Sequence, residues 1–335
     1  MKKIYPYTLA IATSAMLLTA CGDQEDTDNN SANGEPDETV EETEDADDSE
    51  SDAGGSEKTV TDGYGNEVTV PASPERIIAP YLEDPLLTIG LEPIVQWSVN
   101  NGASVQDYLA DELGDLPYID YQLPLESVME ADPDFVVVPD EGTLGSGDYN
   151  QYSQMAPTYV MDSETSADWR ATLLEMGSLF DRDEEAETAL EEYDAYVEEV
   201  KQELNDTVGD DKVAVVWLIN GSYFVVAPNI ASGAVLFDDL ELEPANAIAE
   251  LPEDPDHWNE LSLEAFANLD AEYLFLVNGD EDSVDSLMTE DVWSTIPAVE
   301  NDQVIEIADD SSWLYNGYQA NRQTIEEVHE QMISE

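Results

Sequence analysis

Two glutamates recur in matching contexts, and they are the residues here with the clearest capacity for electrostatic work. Leu125-Glu126 opens a segment that passes Asp132 and enters Phe135-Val136-Val137-Val138. Leu263-Glu264 opens one that passes Asp270 and enters Tyr273-Leu274-Phe275-Leu276-Val277. Each reads as a short helix, a turn and a buried strand. A carboxylate in a first helical turn is favoured by the helix dipole, and an exposed one can pair bidentately with a guanidinium. In isolation the plainer reading of each is a first-turn capping acid with no further role. Repetition at so long a spacing implies two related α/β lobes, since a solenoid repeats over far shorter periods. Two lobes enclose a cleft, the usual place for a small ligand.

Other chemistry is sparse. Cys21 is the sole cysteine, so no disulfide can form, and the histidines are His257 and His329. A zinc or manganese site needs several converging ligands, so no metal site is assigned. His257 could ligate haem iron or a cobalamin-type cobalt, an ordinary loop histidine being the plainer reading; His329 is expected on the exposed face of a last helix. There is no nucleophile elbow, P-loop or His-Glu-x-x-His helix, and acids are too common for a glycosidase pair to be diagnostic. No catalytic residue is assigned, and an enzyme is not expected. A hydrolase, or a surface-interaction protein without a small ligand, ranks below a binding protein.

The elements that must position these residues begin after a targeting segment. Lys2 and Lys3 precede an apolar run from Ile4 to Ala20, which ends Leu17-Leu18-Thr19-Ala20-Cys21. That ending resembles a bacterial lipobox, with Cys21 lipidated, residues 1–20 a lipoprotein signal peptide and the protein anchored on the extracytoplasmic face of the cell membrane. An uncleaved membrane anchor is the alternative, and the run is at the short end for a spanning helix. Residues 21–58 are acidic and small, unable to bury enough surface to offset chain entropy, and read as a disordered linker. The whole chain has 79 acidic and 9 basic residues, a net charge of -70. Nucleic acid is excluded as a partner, because its phosphates require basic patches. Such self-repulsion is tolerable where salt screens it, which implies a salt-adapted host. The absence of a twin-arginine signal favours a bacterium over a halophilic archaeon.

Residues 59–182 read as an N-terminal α/β lobe: a hairpin over Thr59–Val70 around a Gly-rich turn, then short apolar runs at Arg76–Ala79, Pro93–Trp97, Phe135–Val138 and Thr158–Val160. From 183 to 207, Ala186, Ala189, Leu190, Tyr193, Tyr196, Val197, Val200 and Leu204 recur at helical spacing, with acids at the start and Lys201 near the end. This is expected to be a stiff connecting helix; a helix packed within one lobe is the alternative. Residues 208–335 resume the strand pattern at Val213–Ile219, Tyr223–Val226, Tyr273–Val277 and Gln303–Ile307, and close with a helix near Tyr318–Met332. The fold class is α/β, with two Rossmann-like lobes joined by a single long helix.

At this level the chain resembles the iron-siderophore substrate-binding proteins of ABC importers, whose fold is shared with cobalamin and haem binders. The resemblance rests on the lipobox, the acidic linker, the hairpin, Pro74-Glu75-Arg76-Ile77-Ile78-Ala79, Ala156-Pro157-Thr158, Asp168-Trp169-Arg170, both Leu-Glu helices, Val292-Trp293 and Val304-Ile305-Glu306. It implies a monomer with a shallow cleft and little hinge closure, and a permease as partner, whose arginines Glu126 and Glu264 would meet. It also implies a ferric siderophore as ligand, so that iron arrives with the ligand and the protein needs no cofactor.

The cations limit that ligand. Only Arg76, Arg170, Arg182, Lys201, Lys212 and Arg322 lie in the folded part; Arg76 precedes a strand, and Arg170, Arg182 and Lys201 fall on or beside helices away from the strand-end loops. A tris-catecholate or carboxylate chelate carries several charges and needs local cations. A neutral ferric hydroxamate needs aromatic walls and a few hydrogen bonds. The resemblance implies ligand contacts from Trp313 and Tyr315 in the loop before the last helix, from Trp258 before the second Leu-Glu helix and from Tyr121 before the first. Trp217 and Tyr223, flanking Asn220-Gly221, and Tyr81 and Trp97, ending first-lobe strands, complete the candidates, each also a plausible core residue. The chain departs from the family where a first-lobe arginine would stand, reading Tyr118-Ile119-Asp120-Tyr121. A cobalamin or haem binder of the same fold is the alternative.

Overall fold

The computed structural model describes residues 56–145, 147–252, 255–280 and 283–333. The lipobox cysteine Cys21, the signal segment and nearly all of the acidic linker lie outside them.

Strands β1 (Lys58–Thr61) and β2 (Glu67–Val70) form the antiparallel hairpin read from the sequence. β3 (Ile77–Ile78), β4 (Gln96–Ser98), β5 (Tyr118–Asp120), β6 (Phe135–Val138) and β7 (Thr158–Val160) follow, pairing in parallel as β3-β6-β7 and β4-β5. All four residues of β6 are fully buried, because a parallel strand is covered on both faces and reads as a continuous apolar run.

The second lobe holds β8 (Lys212–Ile219), β9 (Ser222–Val226), β10 (Glu243–Pro244), β11 (Trp258–Leu261), β12 (Tyr273–Asn278) and β13 (Val304–Ile307). They form one sheet in the order β11-β9-β8-β12-β13, with β10 beside β8. This sheet is mixed where the alternation of strands and helices implies a parallel one. β8 turns directly into antiparallel β9 through Asn220 and Gly221, both at positive φ, and β11 adds antiparallel to β9. Two-residue turns of that geometry connect antiparallel strands only.

Between the sheets runs the helix Asp183–Thr207, about 37 Å long at 1.5 Å per residue. Its first half buries Ala186 and Ala189 in the core of the first lobe. Its second half buries Tyr193, Val197, Val200 and Leu204 in the core of the second. A helix whose apolar stripe is shared between two cores holds them at a fixed separation. The architecture is therefore two α/β lobes on one helical spine.

Polar contacts tie the lobes more closely. The closing helix Tyr318–Ile333 follows Gly317, which has no side chain to cap it; Asp84, in the first-lobe helix Glu83–Thr88, accepts the Gln319 and Ala320 N–H groups at 3.1 and 3.0 Å. Gly317 makes this possible, since a Cβ there would lie 2.5 Å from an Asp84 carboxylate oxygen. Tyr315 donates its hydroxyl to the Val105 carbonyl at 2.8 Å, and its ring lies 5.0 Å from that of Tyr108. Tyr108 in turn donates to Asp84.

Candidate functional site

A cleft of about 290 Å³ opens between the lobes. On the first-lobe side, Tyr81 and Leu82 follow β3, Pro139 follows β6, and Ser163, Ser166 and Trp169 follow β7. Ligands of open parallel sheets bind beyond the carboxyl ends of the strands, where loops converge. The second lobe contributes Ile230 and Ala231 after β9, His257 and Trp258 at the start of β11, and Leu314, Asn316, Gly317 and Tyr318 after β13. A larger concavity, about 690 Å³, lies instead along the flanks of the connecting and closing helices. It is lined by Glu184, Glu185, Glu192 and Glu326 and offers only Arg322 in return. Helix flanks crowded with like charge make a poor binding site, so the smaller inter-lobe cleft is the candidate.

Its walls are held firmly. Asp168 caps the helix Trp169–Leu179 by accepting the Arg170 and Ala171 N–H groups, which fixes Trp169 at the first helical position. The Trp169 ring meets Tyr193 edge-on at 4.9 Å, and the Arg170 guanidinium lies over both rings. Across the cleft Trp258 packs on Trp217 at 5.2 Å. Two lining residues, Tyr81 and Ala231, have left-handed backbones at φ 62° and 47°. Neither is glycine, and each such residue costs on the order of 1–3 kcal/mol unless its surroundings impose it. Strain of this kind gathers at functional sites.

Among the described residues no lysine or arginine lines the cleft. Arg170, the nearest in sequence to a lining residue, is turned away and paired with Asp194 at 2.7 Å and Asp239 at 3.2 Å. Those carboxylates hold its pKa above the usual guanidinium value even though burial opposes this. The others are engaged as well: Arg76 with the Asp132 carbonyl, Arg182 with Glu185, Lys201 with Glu241, Lys212 with Asp270, Lys58 with Asp181 and Arg322 with Glu326. Among the described residues no aspartate or glutamate lines the cleft either, and no three His, Cys, Asp or Glu side chains are grouped to hold a metal. The surface is uncharged, apolar to aromatic, and edged by hydroxyl and amide groups.

The candidates from the sequence divide three ways. Trp258 and Tyr81 line the cleft. Trp97, Tyr121 and again Tyr81 line an adjoining cavity in the first lobe. Trp217 stands behind Trp258 as its support. Trp313, Tyr223 and Tyr315 are not among the described residues that line either cavity, and each is held by packing. Trp313 is fully buried against Phe275 at 4.6 Å and donates its indole N–H to Glu327 at 2.6 Å. Tyr223 stacks on Phe266 at 4.0 Å and accepts the Trp293 N–H inside the second lobe. Tyr315 is committed to the inter-lobe bond with Val105. Glu126 and Glu264 are exposed in the first turns of their helices, away from the cleft. His329 is half-buried and bonded to Glu203 at 2.9 Å.

Sequence reasoning missed Trp169, Tyr318 and Asn316 as lining residues. Trp169 had a usable signal: it follows a capping aspartate at a helix start, in the segment that leaves β7. Tyr318 and Asn316 had none beyond proximity to Trp313.

These features define a two-lobed ligand-binding protein with a helical spine, and comparison with known proteins agrees. The chain belongs to the Periplasmic binding protein family, whose model matches residues 95–311. It is 23% identical over 281 residues to the iron(3+)-hydroxamate-binding protein YxeB of Bacillus subtilis, covering 80% of this chain and 84% of that one. Its fold is similar to that of a FhuD-family periplasmic binding protein component of a Fep/Fec-like ferrichrome ABC transporter from Bacillus subtilis, with a TM-score of 0.69, 18% identity and coverage of 82% and 100%. Staphylococcus aureus SirA, solved with staphyloferrin B, matches with a TM-score of 0.66, 20% identity and coverage of 82% and 98%.

Proposed function

We propose that this protein captures a ferric siderophore of the hydroxamate type outside the cytoplasm and delivers it to an ABC importer. The carrying observation is the uncharged cleft, walled by Trp169, Trp258 and Tyr81, with every described lysine and arginine engaged elsewhere. A desolvated polyanion would enter without partners, at a cost of several kcal/mol per uncompensated charge. A ferric hydroxamate has no such requirement and gains from burying its apolar backbone on the indoles. Titrating intrinsic tryptophan fluorescence with ferric hydroxamates, catecholates, citrate, haem and cobalamin in high salt tests this. Saturable quenching by hydroxamates is expected, and tight binding of a tris-catecholate with hydroxamates ignored would overturn the assignment.

A second reading, a haem or cobalamin carrier, draws on one observation: His257 lines the cleft and exposes its ring. The same titration tests it, because axial ligation by His257 would shift the haem or corrin absorption spectrum and His257→Ala would abolish the shift.

Delivery would use Glu126 and Glu264 as contacts for permease arginines. Both are exposed, and neither touches the cleft. Glu126→Ala with Glu264→Ala is expected to abolish uptake while leaving ligand affinity within about twofold; loss of affinity in the folded double variant would refute this. Anchoring would come from lipid on Cys21, with residues 21–58 as tether; no described helix is long and apolar enough to cross a membrane. Release of a Cys21→Ser variant from membranes, or its retention with an uncleaved signal, is expected. The acidic surface, with a net charge of -70, fits a salt-adapted bacterium.

A further inference from the structure

The cleft continues past Tyr81. An annex of about 320 Å³ shares Tyr81 and Pro139 with it and extends along the first lobe. Its walls include Trp97 on β4, Tyr121 just after β5 and Asp140 just after β6. Tyr81 and Trp97 meet edge-on with ring centres 5.1 Å apart. Tyr81 and Tyr121 leave 45% and 44% of their surfaces exposed, among the most exposed large hydrophobic side chains described.

Asp140 makes the annex different from the main cleft. Its Oδ1 accepts the Thr143 N–H at 3.1 Å, and its Oδ2 lies 3.5 Å from the Thr143 hydroxyl. A carboxylate offers about four acceptor positions, so capacity remains on both oxygens. Among the described residues no lysine or arginine lines the annex, and no ion pair includes Asp140. Three aromatic rings beside one unneutralised carboxylate are poor surroundings for an anion. They suit an alkylammonium, which ring quadrupoles attract and a carboxylate pairs with. An apolar tail would use the rings but gain nothing from Asp140.

We propose that the annex is a subsite for an ammonium group carried by the ligand, so that the protein selects ferric hydroxamates bearing a pendant primary amine. This rests on the hydroxamate reading above and adds the charge of the preferred chelate. An alkylamine with a pKa near that of lysine, about 10.4, is cationic at neutral pH. The chelate core occupies the uncharged inter-lobe cleft while the amine arm passes Tyr81 into the annex.

The test compares ferrioxamine B, a linear ferric trihydroxamate with a free terminal amine, with the same chelate acetylated on that amine. Tryptophan quenching is measured on the purified protein in about 1 M NaCl, where the Debye length is about 3 Å and the field of distant surface acids is screened. The amine form is expected to bind at least fivefold tighter. Asp140→Asn, which keeps the turn-capping acceptor, is expected to bring the two chelates within about twofold by weakening only the amine form. Asp115→Asn, an exposed acid outside the annex, is expected to leave the ratio as it was. Equal affinity for the two chelates, or an Asp140→Asn variant with an unchanged ratio, overturns the subsite while the hydroxamate assignment stands. If neither chelate binds, that assignment fails and the subsite with it.

Discussion

Trp258 and Trp313 make the same claim from the sequence and have opposite fates in the structure. Both sit in second-lobe loops shortly before a helix, and family resemblance implies a ligand contact for both. Trp258 begins an edge strand, leans on Trp217 and presents its remaining surface to the cleft. Trp313 turns inward, fully buried on Phe275 with its N–H on Glu327, while its neighbours Leu314, Asn316 and Gly317 line the cleft in its place. A loop can line a cleft through its neighbours while its most conspicuous aromatic residue serves the core that holds the loop still.

Truncation should separate the two roles, and the largest effect belongs to the core. Trp313→Ala removes a fully buried indole and is expected to cost about 3–5 kcal/mol of stability. Thermal or urea unfolding measures this; a loss below about 1 kcal/mol would mean that the ring is not packed as described. Trp258→Ala is expected to weaken binding of the ferric hydroxamate by tenfold or more, read by fluorescence titration, while costing far less stability than Trp313→Ala. Reversal of that order would exchange the assignments.

A third substitution acts on the segment both depend on. Gly317→Ala would force the closing helix away from the Asp84 carboxylate that caps it, since the added carbon would approach within 2.5 Å. Loss of a helix cap costs about 0.5–2 kcal/mol, and the displaced loop carries cleft residues. Lower stability together with weaker binding is expected, and wild-type behaviour in both would show that the cap is dispensable.

The smallest effect sharpens a parallel contrast in the first lobe, between two adjacent buried acids. Asp84 accepts two backbone N–H groups and the Tyr108 hydroxyl, and burial raises its pKa only to about 6. Glu83 has one oxygen on the Trp97 N–H and no partner for the other, and burial raises its pKa to about 8. A folded state that binds a proton more tightly than the unfolded chain gains stability at low pH. That gain is full below about pH 4 and is lost as pH rises through 6 for Asp84 and through 8 for Glu83. Glu83→Gln keeps an acceptor for Trp97 and cannot ionise. Its melting temperature relative to the wild type is therefore expected to rise between pH 6 and pH 9 by several degrees, at roughly 2–4 °C per kcal/mol. A gap independent of pH would mean that Glu83 is not the group being ionised.

Much of the architecture was legible because it depends on periodicity. The buried runs at Phe135–Val138 and Tyr273–Val277 became β6 and β12, and the stripe from Ala186 to Leu204 became the spine. The antiparallel β8–β9 pair carried a readable Asn220-Gly221 turn, but β11 did not, because His257-Trp258-Asn259-Glu260 has no alternation. The charge character of the cleft was legible too, since a chain with few cations cannot surround a polyanion with them. Which aromatic faces that cleft was not. Tyr223, Tyr315 and Trp313 have the composition of a binding surface, and their partners Phe266, Val105 and Glu327 come from distant positions.

The periodic elements, the two-lobed plan and the poverty of positive charge follow from the chain alone, because these are properties of neighbours and of composition. Packing between distant segments sets the rest: Arg170 is neutralised by Asp194 and Asp239, Asp84 caps a helix of the other lobe, and Trp169 rather than Trp313 walls the cleft. Each depends on contacts between residues remote in the chain, and the direction a side chain takes is set by whichever surface packs against it.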